Sequence, residues 1–204
     1  MCMFSGIVEE IGTVIKIESR SGIQELTVSC GKLLNDIEAG DSVAIDGCCQ
    51  TVVGVAKDSF KVQVTQETLI KTNFSKLQEG SKINLESSLK VGDKVSGHFV
   101  SGHIDGTGRV ADIFSFGENR IIQIQFPDEL CDYIVSKGSI TVNGVSLTVI
   151  DLKNMRFTFT LIPYTRDNTN LGLIKVGDLV NLEADLISRY LVNYLKNNVE
   201  LAKK

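Results

Sequence analysis

The chain of 204 residues carries no basic excess: 21 Lys and Arg stand against 25 Asp and Glu, a net charge of −4 with a pI near 5.3. A protein that neutralises a phosphate backbone needs clustered Lys and Arg, so no nucleic-acid partner is expected. Nor is there a run approaching the ~18 apolar residues of a membrane-spanning helix. Met1-Cys2-Met3-Phe4-Ser5-Gly6 has no charged leader ahead of a long apolar stretch, so neither a membrane partner nor a secretory signal is expected. Histidines are scarce. His98 and His103 are the two, and no Cys/His cluster accompanies them, so no metal site is expected. The five cysteines, Cys2, Cys30, Cys48, Cys49 and Cys131, are odd in number and lack CxxC spacing. That argues against a disulfide framework and for a reducing compartment, the cytoplasm or an organelle stroma.

What is present is a duplication. Residues 46–89 lie over residues 143–186 without a gap, matching Gly47 with Gly144, Thr51 with Thr148, Phe60 with Phe157 and Thr68 with Thr165. The match continues through Asn73 and Asn170, Asn84 and Asn181, Glu86 and Glu183, and Leu89 and Leu186. Upstream, Ser5-Gly6-Ile7-Val8 echoes Ser101-Gly102-His103-Ile104. A period of about a hundred residues is too long for a solenoid and suits a duplicated domain. The boundary falls near Lys90–Lys94, giving domains 1–93 and 94–186, with 187–204 as a terminal element.

Short alternating or β-branched runs dominate both halves: 13–17, 23–28, 42–45 and 60–64 in the first, 121–126, 139–142 and 157–161 in the second. Six or so short strands per domain predict small closed or nearly closed barrels, which leave no exposed edges. A helix is expected at 128–135, with Asp128 as N-cap after Pro127. From residue 186 onward, Leu186, Ile187, Tyr190, Leu191, Tyr194, Leu195, Val199 and Leu201 fall at helical spacing on one side. This amphipathic helix either docks on its own barrel or bundles with copies from other subunits.

The repeats also differ in places. Cys49 in the first copy is matched by Ser146, and on a strand Cys49 shares a face with Thr51, as Ser146 does with Thr148. Such a small polar pair suits the edge of a heteroaromatic ligand; the alternative is that it packs inside the barrel. His103 replaces Ile7, and imidazole both takes up and releases a proton near neutrality, although a lone histidine is usually structural. Asp185 replaces Ser88 and on spacing alone reads as a helix cap. Lys137 stands opposite Gly40 and reads equally well as a solvated turn lysine.

Met3-Phe4-Ser5-Gly6-Ile7-Val8-Glu9, Gly97-His98-Phe99-Val100-Ser101-Gly102-His103-Ile104, Lys137-Gly138-Ser139-Ile140, Gly144-Val145-Ser146-Leu147-Thr148-Val149 and Leu161-Ile162-Pro163-x-Thr165 resemble the riboflavin synthase family over practically the whole chain. The resemblance implies a mainly β fold of two tandem six-stranded antiparallel Greek-key barrels plus a C-terminal α-helix. It also implies a homotrimer with each active site between the N-terminal barrel of one subunit and the C-terminal barrel of its neighbour. The implied reaction moves a four-carbon unit between two molecules of 6,7-dimethyl-8-ribityllumazine, giving riboflavin and 5-amino-6-ribitylamino-uracil without metal or organic cofactor. Association with lumazine synthase is a further implication. Two similar, unequal pockets would turn a bimolecular encounter into an oriented one.

Carried over by residue, Gly6, Ile7, Val8, Cys49, Gln50, Thr51, Gln63, Val64, Thr65, Gln66, Glu67 and Thr68 would line the N-terminal pocket. Gly102, His103, Ile104, Ser146, Leu147, Thr148, Ile162, Pro163, Tyr164, Thr165, Arg166 and Asp167 would line the C-terminal one, and Lys137 would arrive from the adjacent subunit. The resemblance further suggests His103 for the proton at the acidic C7 methyl of one lumazine, with Ser146 and Thr148 holding that ring. Cys49 and Ser42 would serve the other molecule, and Asp185 would stabilise charge or orient a hydroxyl. Gln50, Gln63, Asn143 and Tyr164 with Arg166 depart from the family pattern. A non-catalytic lumazine- or flavin-binding paralogue is the rival reading, and a scaffold with no small-molecule role a third. Retention of His103, Cys49, Ser146, Thr148 and Asp185 favours the enzyme.

Overall fold

The structure is a computed structural model that describes residues 2–20 and 22–198. Val199 and Leu201, the last two residues of the expected helical stripe, lie outside the described residues.

The first repeat folds into β1 (Glu10–Arg20), β2 (Ile23–Ser29), β3 (Ser42–Ile45), β4 (Cys48–Val55), β5 (Ser59–Thr65) and β6 (Lys82–Ser87), with α1 (Gln66–Lys71) between the last two. These strands close into a barrel in the order β1-β2-β5-β4-β3-β6, every ladder antiparallel. Period-two alternation decides what faces in: along β5, Phe60, Val62 and Val64 are buried while Lys61, Gln63 and Thr65 are exposed. Bulges at Val14/Lys16 and Val52/Gly54 sharpen the bend that so small a barrel demands. Phe60, Phe74, Leu26 and Leu85 fill the interior without exposure.

The second repeat supplies β7 (Gly106–Phe116), β8 (Asn119–Gln125), β9 (Ser139–Val142), β10 (Val145–Thr148), β11 (Asp151–Lys153), β12 (Arg156–Leu161) and β13 (Leu179–Ala184), with α2 (Pro163–Asn168) before the last. It differs from the expected six strands. The run equivalent to β4 breaks at Val149 and Ile150, leaving a seven-stranded sheet in the order β10-β9-β13-β7-β8-β12-β11. Its two edge strands are successive pieces of one chain run. Where the first repeat carries its bulge on Gly54, the second has Asp151, and glycine is the residue that most readily sits in such an irregularity.

The helix expected at 128–135 is a single 3-10 turn, Asp128–Leu130, followed by turns, and Asp128 caps nothing. Leu130 N–H bonds the Pro127 carbonyl and Tyr133 N–H the Leu130 carbonyl, tightening the chain so that Leu130 and Ile134 plug the barrel end. Lys137 N–H then bonds the Val149 carbonyl and draws the chain away.

Between the barrels the repeated asparagines bond reciprocally. Asn73 N–H donates to Asn181 Oδ1 and Asn170 N–H to Asn84 Oδ1, each at 2.7 Å. Asn84 Nδ2 reaches the Asn143 carbonyl at 2.9 Å, and Asn181 Nδ2 the Asp46 carbonyl at 3.0 Å. Asp46, the acidic member of this seam, is 1% exposed, and burial pushes its carboxyl up to about 6.

The C-terminal helix, α3 (Leu186–Asn198), is capped by Asp185, whose Oδ1 accepts the Ile187 N–H at 2.8 Å. Polar contacts tie it to its own chain: Arg189 Nη2 donates to the His103 carbonyl and to Asp105 Oδ2, and Lys196 meets Asp132 at 2.7 Å. None of its described residues is buried, and Ile187, Tyr190 and Tyr194 are about two-thirds or more exposed. No helix among the described residues is long and apolar enough to cross a membrane.

Candidate functional site

The repeated Ser-Gly turns are held by one barrel and delivered to the other. Glu86, on the first barrel, accepts Ser5 N–H, Ser5 Oγ–H and Gly6 N–H. Gly6 then offers its carbonyl to Ser146 N–H of the second barrel at 2.7 Å. The other half mirrors this: Glu183 accepts Ser101 N–H, Ser101 Oγ–H and Gly102 N–H, and the Gly102 carbonyl takes Cys49 N–H at 2.9 Å. Burial outweighs these donors and pushes Glu86 up to about 7, and it raises Glu183 as well.

Both turns need glycine. Gly6 has φ +74 and Gly102 φ +77; a Cβ would stand 2.7 Å from Ser146 Cβ in one and 2.6 Å from Cys49 Cβ in the other. The crossing corrects the expected grouping. Gly6, Ile7 and Val8 belong with Ser146, while Gly102, His103 and Ile104 belong with Cys49. The cores agree, since Val8 packs on the second barrel and Ile104 on the first.

At the first barrel, Cys49 and Thr51 face outward from β4 between inward Cys48, Gln50 and Val52. The alternative that this pair packs inside the barrel therefore does not hold. Ser42 pairs with Thr51 in register, and its side chain hydrogen-bonds Cys49. Cys2 Sγ lies 3.1 Å from Cys49 Sγ. Burial and the neighbouring Cys2 thiol push Cys49 up to about 12, so it stays a protonated thiol rather than a nucleophilic thiolate. A cleft of about 270 Å³ opens here, lined by Cys49, Glu67, Thr68, Gly102, His103 and Ile104 together with Cys48, Lys71 and Thr72. Thr65 caps α1, its Oγ1 accepting Thr68 N–H at 3.3 Å, which fixes the helix beside the cleft with exposed Gln66 in its first turn.

Of the expected lining residues, Thr51, Thr65 and Gln66 lie on the outer face beside this cleft without lining it, and Val64, Gln50 and Gln63 have other neighbours. Val64 is wholly buried in the barrel core, because β5 alternates. Gln50 is buried, its Nε2 on the Cys49 carbonyl at 2.7 Å and on Cys48 Sγ at 3.2 Å. Gln63 sits on the exposed wall, bonded to Glu25.

At the second barrel, Ser146 and Leu147 are half-buried and Thr148 is exposed. Ser146 Oγ lies 2.8 Å from His98 Nδ1, a contact the sequence reading missed. Burial lowers the His98 pKa below its usual value, against an opposing pull from the Asp185 charge. A neutral imidazole hydrogen-bonded to a hydroxyl is an acid–base pair ready for proton transfer. The signal was in the repeat: carried three residues upstream of Ser5 and Ser101, the alignment sets Cys2 over His98. The thiol contact Cys2–Cys49 is therefore the first-repeat counterpart of His98–Ser146.

Beyond this pair, Ile162 precedes α2 with Pro163 in its first turn, Tyr164 is exposed and Thr165 half-buried. Arg166 pairs with its neighbour Asp167 at 2.8 Å and donates to the Glu118 carbonyl at 3.3 Å, rather than to Ser146. His103 is exposed, held through its carbonyl by Arg189. Asp185 acts as the helix cap. Lys137 is exposed at φ +67, in a turn where the first repeat has Gly40, and lines neither candidate site of its own chain. A separate cleft of about 330 Å³, floored by Asp46 and Asn73 between the barrels, contains none of the expected residues.

Residues 5–88 and 101–185 each match the lumazine binding domain family. The riboflavin synthase of Bacillus subtilis (strain 168) is 39% identical over 193 residues, 95% of this chain and 90% of that protein. The riboflavin synthase of Mycobacterium tuberculosis (strain CDC 1551 / Oshkosh) is 39% identical over 199 residues, 96% of this chain and 99% of that protein. Among solved structures, LumP complexed with riboflavin superposes with a TM-score of 0.84 at 27% identity, covering 89% of this chain and 98% of that one. LumP complexed with 6,7-dimethyl-8-(1'-D-ribityl) lumazine gives 0.81 at 27% over the same shares.

Proposed function

Because the chain belongs to the riboflavin synthase family, whose lumazine-binding domain it carries twice, we propose that it moves a four-carbon unit between two molecules of 6,7-dimethyl-8-ribityllumazine. The products are riboflavin and 5-amino-6-ribitylamino-uracil. The chain is an enzyme of this family, and its paired but unequal sites carry the reading of what it does. One site offers Cys49, Ser42, Thr51 and His103; the other offers Ser146, Thr148 and His98. Equivalent strands bind equivalent rings, while the different side chains let one molecule give and the other accept.

His103 handles the proton at the acidic C7 methyl of one lumazine. His98, neutral and bonded to Ser146, handles the proton traffic at the other. Cys49, kept as a thiol, donates a hydrogen bond to its ring rather than attacking it.

Within one chain the two sites sit on different barrels. They face each other when the first barrel of one subunit meets the second barrel of another, in a homotrimer whose apolar α3 residues pack together. The exposure of Ile187, Tyr190 and Tyr194 supports that role. Lys137, strained at its positive φ by about 1–3 kcal/mol, reaches the neighbour's site. The unpaired cysteines suit a cytoplasmic setting.

Mixing variants tests the shared site. His103→Ala and Ser146→Ala each leave one half intact, so subunit exchange between them rebuilds complete sites from intact halves. Activity well above either parent is expected. Two folded trimeric variants that exchange subunits and restore nothing would sink the proposal.

A further inference from the structure

We propose that Cys2 and Cys49 form a reversible disulfide that closes the first-barrel site, so that thiol oxidants such as hydrogen peroxide switch turnover off. The proposal rests on the reading of that site given above. Five observations carry it. The two Sγ atoms are 3.1 Å apart with both cysteines free. A disulfide needs about 2 Å between sulfurs, so closure asks for a shift of only about 1 Å. The segment holding Cys2 is anchored: Leu89 N–H bonds the Met3 carbonyl at 2.7 Å, and Phe4 exchanges backbone bonds with Val100. Phe4, Ala44 and Val100 form a small buried cluster against which both cysteines pack, which keeps them facing each other. Finally, Cys49 lines the candidate cleft beside His103, so consuming its thiol alters the site directly.

The repeat adds a chemical argument. At the second site the same two positions carry His98 and Ser146, which cannot couple oxidatively. The duplication thus places an oxidisable pair in one pocket and an acid–base pair in the other. Peroxide transfers one oxygen to the Cys2 sulfur, giving a sulfenic acid and one water. The Cys49 proton passes to the sulfenic oxygen as Cys49 sulfur attacks Cys2 sulfur, the S–O bond breaks, and the oxygen leaves as a second water, so no free Cys49 thiolate forms. Two thiols and one peroxide become one disulfide and two waters. A dithiol reductant reverses the step by exchange, being itself oxidised to its disulfide.

The test uses the full chain. Protein is treated with hydrogen peroxide, quenched with catalase and blocked with N-ethylmaleimide, and its peptides are mapped by mass spectrometry. Lumazine binding and riboflavin formation are followed before and after dithiothreitol. The expected result is a peptide joining Cys2 to Cys49, with turnover down by about tenfold or more and restored by dithiothreitol. Cys2→Ser should start with normal turnover and keep it through peroxide, while Cys131→Ser should behave as the parent. Absence of the joined peptide overturns the proposal, as does an oxidised protein that turns over normally, or inactivation that persists in Cys2→Ser. If the reduced protein makes no riboflavin, the functional reading has failed on its own. The disulfide is then judged by the joined peptide together with weakened lumazine binding, and unchanged binding overturns it.

Discussion

Replacing Asp46 with Asn should turn a pH-dependent seam into a pH-independent one. Asp46 lies between the barrels, its Oδ1 accepting Asn84 N–H and Asn170 Nδ2, both at 2.8 Å, and its Oδ2 accepting Asn73 Nδ2 at 3.1 Å. The equivalent residue of the second repeat is already an amide, Asn143, whose Oδ1 accepts Asn181 N–H at 2.8 Å. Burial raises the Asp46 carboxyl from 3.8 to about 6. The folded chain therefore holds this proton more tightly than the unfolded chain does. The stability it contributes is fully present below 3.8 and is lost as pH rises through 6. A shift of about 2 units corresponds to ~3 kcal/mol.

In Asp46→Asn the retained Oδ1 keeps two of the three bonds, and the new Nδ2 faces Asn73, whose Oδ1 has no partner among the described residues. Amide reorientation at Asn73 lets its Oδ1 accept from the new Nδ2 but gives up the 3.5 Å bond from Asn73 Nδ2 to Asn143 Oδ1, a cost that does not vary with pH. Every other titrating group is common to the two proteins, so their contributions cancel in the difference. The stability of the variant relative to the parent should therefore rise by ~3 kcal/mol between about pH 4 and pH 8, most steeply around pH 5 to 6. Urea unfolding of both proteins across that range, at one fixed protein concentration, measures it. A difference constant within about 0.5 kcal/mol, or one that falls with pH, refutes the reasoning.

Three further substitutions probe the crossing turns and the newly found pair. Gly102→Ala adds a Cβ at φ +77 and 2.6 Å from Cys49 Cβ, whereas Gly22→Ala, at φ +84 with nothing within 4 Å, adds backbone strain alone. Thermal unfolding should place the first at least ~2 kcal/mol below the parent and the second about 1 kcal/mol below, with turnover lost in the first only. Glu86→Gln sets an amide N–H against the Gly6 N–H that now meets Oε2 at 3.1 Å. It should cost about 1–3 kcal/mol in denaturant unfolding and weaken turnover through Gly6 and Ser146. His98→Gln should lower kcat by about a hundredfold with little change in KM. It should also remove an acid limb of the pH–rate profile lying below the usual histidine range, because burial lowers the His98 pKa.

Much of the fold was legible before any coordinates. The gapless repeat predicts two related domains. Alternation in runs such as 60–64 and 157–161 places strands and their inward residues correctly, and Asp185 reads as a cap, which it is. The same alternation, applied to Cys48-Cys49-Gln50, would have turned Gln50 inward and Val64 with it.

The crossing of the Ser-Gly turns was not legible, for a physical reason. Aligning two repeats says which residues are equivalent, not which barrel a connecting segment packs against. Only the bonds from Cys49 N–H to Gly102 and from Ser146 N–H to Gly6 decide that. Likewise Asn73, Asn84, Asn170 and Asn181 stood out as identities, but their partners lie roughly a hundred positions away. The 128–135 segment carried helix signals that tertiary packing of Leu130 and Ile134 overrode. His98 lies just before the aligned block, so the comparison of repeats singles out His103, which differs from Ile7 within it, and not His98.

The most direct test of the account is anaerobic incubation of the purified chain with 6,7-dimethyl-8-ribityllumazine, following riboflavin and the pyrimidine product together. One riboflavin and one pyrimidine should form for every two lumazines consumed, with no added metal or cofactor. Tight lumazine binding without either product would contradict it.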